Sequence, residues 1–243
     1  MINTNSKPYV LILREIERAS LLKQILIENN INVLVEPLYK IQPTKFKSIN
    51  FLNYQSLLIT SVNTVKILSQ KFSKEELNNI KTYCVGKVTE KYALEAGFNC
   101  IKTNSYSGGT LAKNVIKKST CSNKKILMIG ATVLAYDPTE IFRRANLEIE
   151  KINIYKKVPF RNLSEKCLDL LHKEKISNII VYSPETAKIF LKLAKDLNTK
   201  NIIMTCLGNK TEKILTENKW KKIQVLKNTE LKSIANKIIN SII

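Results

Sequence analysis

CVGKVTEKYALEAGF at residues 84–98 returns at residues 206–220 as CLGNKTEKILTENKW. Cys84/Cys206, Gly86/Gly208, Thr89/Thr211, Glu90/Glu212, Lys91/Lys213 and Glu95/Glu217 are identical. A second pair shares the offset: LLITSVNTVKIL (57–68) faces IIVYSPETAKIF (179–190), with Ser61/Ser183, Thr64/Thr186, Lys66/Lys188 and Ile67/Ile189 the same. Further upstream the offset shortens, so that VLIL (10–13) faces ILMI (126–129) and Tyr39-Lys40 faces Tyr155-Lys156. Downstream, SGGTLAKNVI (107–116) loosely matches KNTELKSIANKI (227–238). Loop insertions shift an offset between blocks in this way, so the chain reads as two similar halves, roughly 8–118 and 124–241.

Each half alternates short apolar runs with amphipathic helical patterns, the mark of βαβ units and parallel sheets. Strands are predicted at 8–14, 31–35, 56–60, 82–85, 98–101, 125–129, 148–152, 178–182, 202–206 and 221–226. In ILREIERASLLKQILIENN, Ile16, Leu21, Leu22, Ile25 and Leu26 are expected on one sheet-covering face. Two stretches break the alternation. EPLYKIQPT (36–44) and INIYKKVPF (152–160) read as extended segments with a proline near the end, able to pair as a hinge. The expected fold is α/β: two flavodoxin-like lobes with parallel sheets, joined by a two-stranded antiparallel hinge, with a cleft between them. The expected division is 1–37 with 160–243, then 44–150, with 38–43 and 151–159 as hinge strands.

The 243 residues, 44% hydrophobic, suffice for one large or two small domains, and disorder is not indicated. No apolar run reaches the roughly 18 residues of a membrane span, and MINTNSKPYV lacks a signal-peptide core. A soluble cytoplasmic monomer is expected. Five cysteines without a C-x-x-C pair suit a reducing compartment and are read as small core residues, with no metal site. The net charge of +20 has two readings. One is compositional drift towards Lys, Asn and Ile; the other is a preference for a polyanion, including a small polycarboxylate. Lys and Arg are dispersed and there is no aromatic platform motif, which speaks against nucleic acid.

In both halves a strand runs into a small polar residue and then a helix: LLIT into Ser61, IIVY into Ser183, TYCV into Gly86 and MTCL into Gly208. Parallel sheets gather such strand ends on one edge, where ligands bind. The first N–H groups of a helix lack intrahelical partners and carry about half a positive charge, which favours a carboxylate or phosphate. Gly86 and Gly208 would let backbone approach a ligand, and Ser61, Asn63, Thr89, Ser183 and Thr211 could add donors. Equally, the serines could simply cap helices and the glycines permit a turn. Catalytic groups are scarce. His172 is the single histidine, near a helix end, and no catalytic triad, H-E-x-x-H, Walker loop or G-x-G-x-x-G is present.

VLILRE ending in Arg14, EPLYKI, LLITSVNTVKIL, CVGKVTEKYALEAGF, INIYKKV, IIVYSPETAKIF and CLGNKTEKILTENKW, in this order, resemble uroporphyrinogen-III synthase over nearly the full length. That resemblance implies two α/β lobes joined by a two-stranded ladder. It implies cyclisation of the linear tetrapyrrole hydroxymethylbilane to uroporphyrinogen III, with loss of water and inversion of ring D, and without metal or organic cofactor. The substrate carries eight carboxylates. Arg14, Ser61, Asn63, Gly86, Thr89, Ser183, Gly208 and Thr211 become the expected substrate contacts, and Tyr155 the candidate for protonating or hydrogen-bonding the departing hydroxyl. The expected partners are the polycarboxylate substrate and, at most transiently, the enzyme that makes it; nucleic acid and membrane are not among them. The alternative is a non-catalytic two-lobed binding protein for a small polyanionic ligand. Two departures stand out: Lys87 and Asn209 follow the motif glycines where the family often has proline, and GATVLAYDP lacks the arginine often seen near that strand end.

Overall fold

A computed structural model describes residues 7–119, 123–134, 136–226 and 230–242. The sequence expectations for MINTNS, for Cys121 and for the start of the 227–238 block lie outside these residues. In chain order the elements are β1 (Tyr9–Leu13), α1 (Ile16–Glu28), β2 (Asn32–Val35), β3 (Tyr39–Pro43), β4 (Tyr54–Ile59), α2 (Val62–Lys71) and α3 (Lys74–Asn78). Then come β5 (Lys81–Cys84), α4 (Gly86–Glu95), β6 (Asn99–Cys100), α5 (Gly108–Lys118), β7 (Lys125–Ala131), α6 (Thr139–Arg144) and β8 (Ile149–Pro159). The chain finishes with α7 (Glu165–His172), β9 (Ile176–Val181), α8 (Pro184–Leu193), β10 (Ile203–Leu207), α9 (Asn209–Leu215), β11 (Lys222–Leu226) and α10 (Leu231–Ile242).

The chain divides into two compact units, Met1–Lys40 with Pro159–Ile243, and Ile41–Val158. The first holds a five-stranded sheet in the order β11-β10-β9-β1-β2, parallel throughout. Read from the other side and numbered within the unit, this is the 2-1-3-4-5 order of flavodoxin-like folds, which reverses direction between β1 and β9. Strand alternation then builds one core on each face. Leu11 and Leu13 join Ile179, Val181 and Phe190 on one side; Val10 and Ile12 join Leu22, Leu26 and Ile238 on the other.

The second unit repeats the plan in the order β3-β8-β7-β4-β5-β6, with the same reversal between β7 and β4. Leu57, Ile59, Leu127 and Ile129 face one core; Leu58, Ile126 and Met128 face the other. Phe160 N donates to Leu38 O and Thr44 N to Ile154 O, both at 2.9 Å, so the segments of β3 and β8 run antiparallel.

Three local expectations need correction. Leu22 and Leu26 of α1 are buried and Ile25 packs beside them as expected, but Ile16 and Leu21 are 68% and 62% exposed, and Ala19, at helical spacing from Leu22 and Leu26, completes the buried face. Cys84, Cys167 and Cys206 are buried, but Cys100 is only partly so. Likewise β8 is a single strand of 11 residues that absorbs both a predicted strand and a predicted hinge segment.

Candidate functional site

At the carboxyl edge of the second unit's sheet, β4 ends beside Ser61, which adopts extended φ/ψ of −151°/141° before α2 begins. Its Oγ accepts from Asn63 N at 3.2 Å. In the first unit, Ser183 has φ/ψ of −154°/155°, and its Oγ accepts from Thr186 N at 3.2 Å. The two serines therefore cap their helices, satisfying one orphan donor each. A hydroxyl that accepts from its own helix still has a proton to donate. In Ser183 that proton is contested, since Oγ lies 2.8 Å from Thr186 Oγ1. Asn63, on the first turn of α2, is half-buried.

The glycine helices differ from the serine helices. Neither Val85 before α4 nor Gly208 before α9 supplies a side-chain cap. Gly86 and Gly208 share a φ of 74°, and a Cβ placed on either would meet no atom within 4 Å. Both glycines thus serve backbone geometry and face open space. Gly86 N donates to Ser105 O at 2.7 Å, tying the start of α4 to the loop after β6. The threonines three residues on turn inward: Thr89 is 5% and Thr211 1% exposed. Thr211 Oγ1 donates to Leu207 O at 2.8 Å, so this hydroxyl is committed to the strand end rather than held out towards a ligand.

Arg14 follows β1 and Tyr182 follows β9; the register Leu13↔Val181 makes them the next cross-strand neighbours. The guanidinium sits 4.1 Å from the centre of the Tyr182 ring, and burial pushes the Tyr182 phenol up. Tyr182 was not singled out by sequence, although the repeat breaks there: its counterpart in the other half is Thr60. Close by, Tyr39 donates to Glu15 Oε1 at 3.1 Å, and burial followed by the Glu15 charge drives its phenol far up. Arg18 lies 3.9 Å from the same Glu15 oxygen.

Tyr155 is 3% exposed and belongs to a core of the second unit. Its carbonyl accepts from both Thr132 N (2.9 Å) and Thr132 Oγ1 (3.2 Å), which fixes the end of β7. His172 is exposed at the end of α7. Interaction with Cys100, then burial, pushes the Cys84 thiol up, and interaction with Cys84 lowers that of Cys100. Among the described residues no group of three or more His, Cys, Asp or Glu could hold a metal ion, and no helix is long and apolar enough to cross a membrane.

A family model described as uroporphyrinogen-III synthase HemD matches residues 20–236. The porphyrin biosynthesis protein HemD of Ruminiclostridium josui is 25% identical over 168 residues, covering 67% of this chain and 33% of that protein. The chain thus spans about a third of the length of the curated relative it matches. Among solved structures, uroporphyrinogen-III synthetase from Helicobacter pylori is similar at a TM-score of 0.69 and 16% identity, over 97% of this chain and 99% of that one. A mutant uroporphyrinogen III synthase from Thermus thermophilus is similar at 0.53 and 12%, over 96% and 98%. At such identities these two structures speak for the fold.

Proposed function

The chain belongs to the uroporphyrinogen-III synthase HemD family, and on that premise we propose that it closes hydroxymethylbilane to uroporphyrinogen III, with loss of water and inversion of ring D. The observation that carries this reading is the doubled helix start at Gly86 and Gly208, each at φ 74°, without a side-chain cap and with no atom within 4 Å of where a Cβ would lie. Uncapped N–H groups with the helix dipole behind them take carboxylates, and the substrate has eight. Ser61 adds a hydroxyl whose oxygen accepts from its own helix and which makes no donated bond among the described residues. Thr89 and Thr211, the other expected donors, are buried, and Thr211 Oγ1 donates to Leu207 O. The surplus of 40 basic over 20 acidic residues favours approach of such a polyanion.

The chemistry asks for little acid–base machinery. The hydroxymethyl oxygen leaves, giving an azafulvene. The substituted α-carbon of ring D attacks it and forms a spiro-pyrrolenine; that carbon's bond to the ring C methylene then breaks, leaving an azafulvene on ring C, which the other α-carbon of ring D attacks before losing its proton. What the protein must supply is a fold of the flexible chain in which the right atoms meet. Tyr155 is assigned to hydrogen-bonding the departing hydroxyl; its burial makes packing the competing role.

The test supplies freshly made hydroxymethylbilane, oxidises the products and separates the isomers chromatographically. Type III is expected to outrun the type I isomer of spontaneous closure. Type I alone, at the uncatalysed rate, would sink the proposal and leave a non-catalytic binder of polyanions.

A further inference from the structure

Gly130 and Thr60 occupy, in the second unit, the places that Arg14 and Tyr182 occupy in the first. The registers make the equivalence: Leu13↔Val181 precedes Arg14/Tyr182, and Ile59↔Ile129 precedes Thr60/Gly130. Both pairs stand where the strand order of their sheet reverses, the point at which open α/β sheets bind ligands. Around these positions the repeat is otherwise kept, with a capping serine and a φ 74° glycine in each unit. A cation on an aromatic ring therefore appears in one switch-point crevice and not in the other.

We propose that Tyr182 is a positioning residue that holds Arg14 as the carboxylate clamp of the first unit, a device that the equivalent positions of the second unit lack. The inference rests on the functional reading above and extends it. The Arg14 guanidinium lies 4.1 Å from the centre of the Tyr182 ring, which holds the cation in place, and a guanidinium so held suits a planar, bidentate acceptor. The nearest acid in sequence, Glu15, is taken by Tyr39 and Arg18. Among the described residues Arg14 makes no ion pair. Tyr182 itself is anchored by packing against the core of Val10, Ile12, Leu22 and Ile180, so the ring is a fixed platform for a long, otherwise mobile side chain.

The test titrates full-length protein with uroporphyrin III, a stable octacarboxylate, alongside isomer-resolved turnover and thermal melts. Arg14→Gln is expected to weaken binding about tenfold or more, the loss of one charge-assisted hydrogen bond. Tyr182→Leu is expected to weaken it about three- to tenfold and to raise KM more than it lowers kcat, and Tyr182→Phe to restore most of that loss by keeping the ring. Because Tyr182 acts through Arg14, the double variant should bind no more weakly than Arg14→Gln alone. Thr60→Ala should leave the affinity within about twofold, as a hydroxyl with no charge behind it. Additive losses in the double variant, unchanged binding in Tyr182→Leu, or a loss at Thr60 as large as at Arg14 would each overturn the proposal, as would wild-type protein that does not bind the probe. The titration needs no turnover, so a protein that fails to form the type III isomer still reads out the pair.

Discussion

Replacing Gly208 by alanine isolates backbone geometry from everything else at the candidate site. Gly208 has φ 74° and ψ 155°, a region that is essentially closed to residues with a Cβ. No atom lies within 4 Å of where that Cβ would go, so no steric clash adds to the cost. Forcing alanine into such a conformation costs about 1–3 kcal/mol. The stiffer unfolded chain of the alanine variant offsets about 0.4–1 kcal/mol. At the middle of these ranges a net loss of about 1.3 kcal/mol follows, which at about 2 kcal/mol per M urea moves the midpoint by roughly 0.6 M. Equilibrium urea unfolding followed by far-ultraviolet circular dichroism measures it. Relaxing the strain by rotating φ would re-aim the N–H groups at the start of α9, so type III formation should fall by more than the stability change accounts for. A loss below about 0.3 kcal/mol, with turnover intact, would refute the backbone argument. Gly86, with the same φ and the same open space, should behave alike.

Other outcomes follow from single contacts. Glu36 is 6% exposed and accepts from Ser164 N and Ser164 Oγ, both at 2.7 Å; Glu36→Ala should cost about 2–4 kcal/mol in urea unfolding, and a loss under about 1 kcal/mol would mean the cap of α7 is satisfied without it. Tyr155→Phe keeps the ring in its core and should slow type III formation while shifting Tm by no more than a few degrees; an unchanged rate assigns the residue to packing alone. Cys100, more exposed than the three buried thiols and with its own thiol lowered beside Cys84, should be alkylated by iodoacetamide at neutral pH before Cys84, Cys167 and Cys206, as peptide mass mapping reads. Equal or slower labelling of Cys100 would contradict that thiol geometry.

The strands were legible because a strand buried on both faces is a continuous apolar run, and the run is local. VLIL, LLIT, IIVY and ILMI each became a central strand. Helix faces were less legible. In α1 the five apolar residues cover more than one side, and only contact with the sheet selects Ala19, Leu22 and Leu26 over Ile16 and Leu21. At the candidate site the repeat located the right strand ends, but residue type did not reveal what each hydroxyl does. Ser61 and Thr211 looked alike as donors. One caps a helix with its oxygen while its proton stays available, and the other spends its proton on Leu207 O.

By itself, then, the sequence determined the doubling, the α/β class, the strand ends and the glycines, because periodicity and repetition are properties of neighbours along the chain. Only the tertiary structure decided that Arg14 meets Tyr182 while Gly130 meets Thr60, because that pairing depends on β1 lying parallel to β9 and β7 parallel to β4. Strand register, set by which apolar faces are buried, is what turns two separate sequence positions into one cation held on one ring.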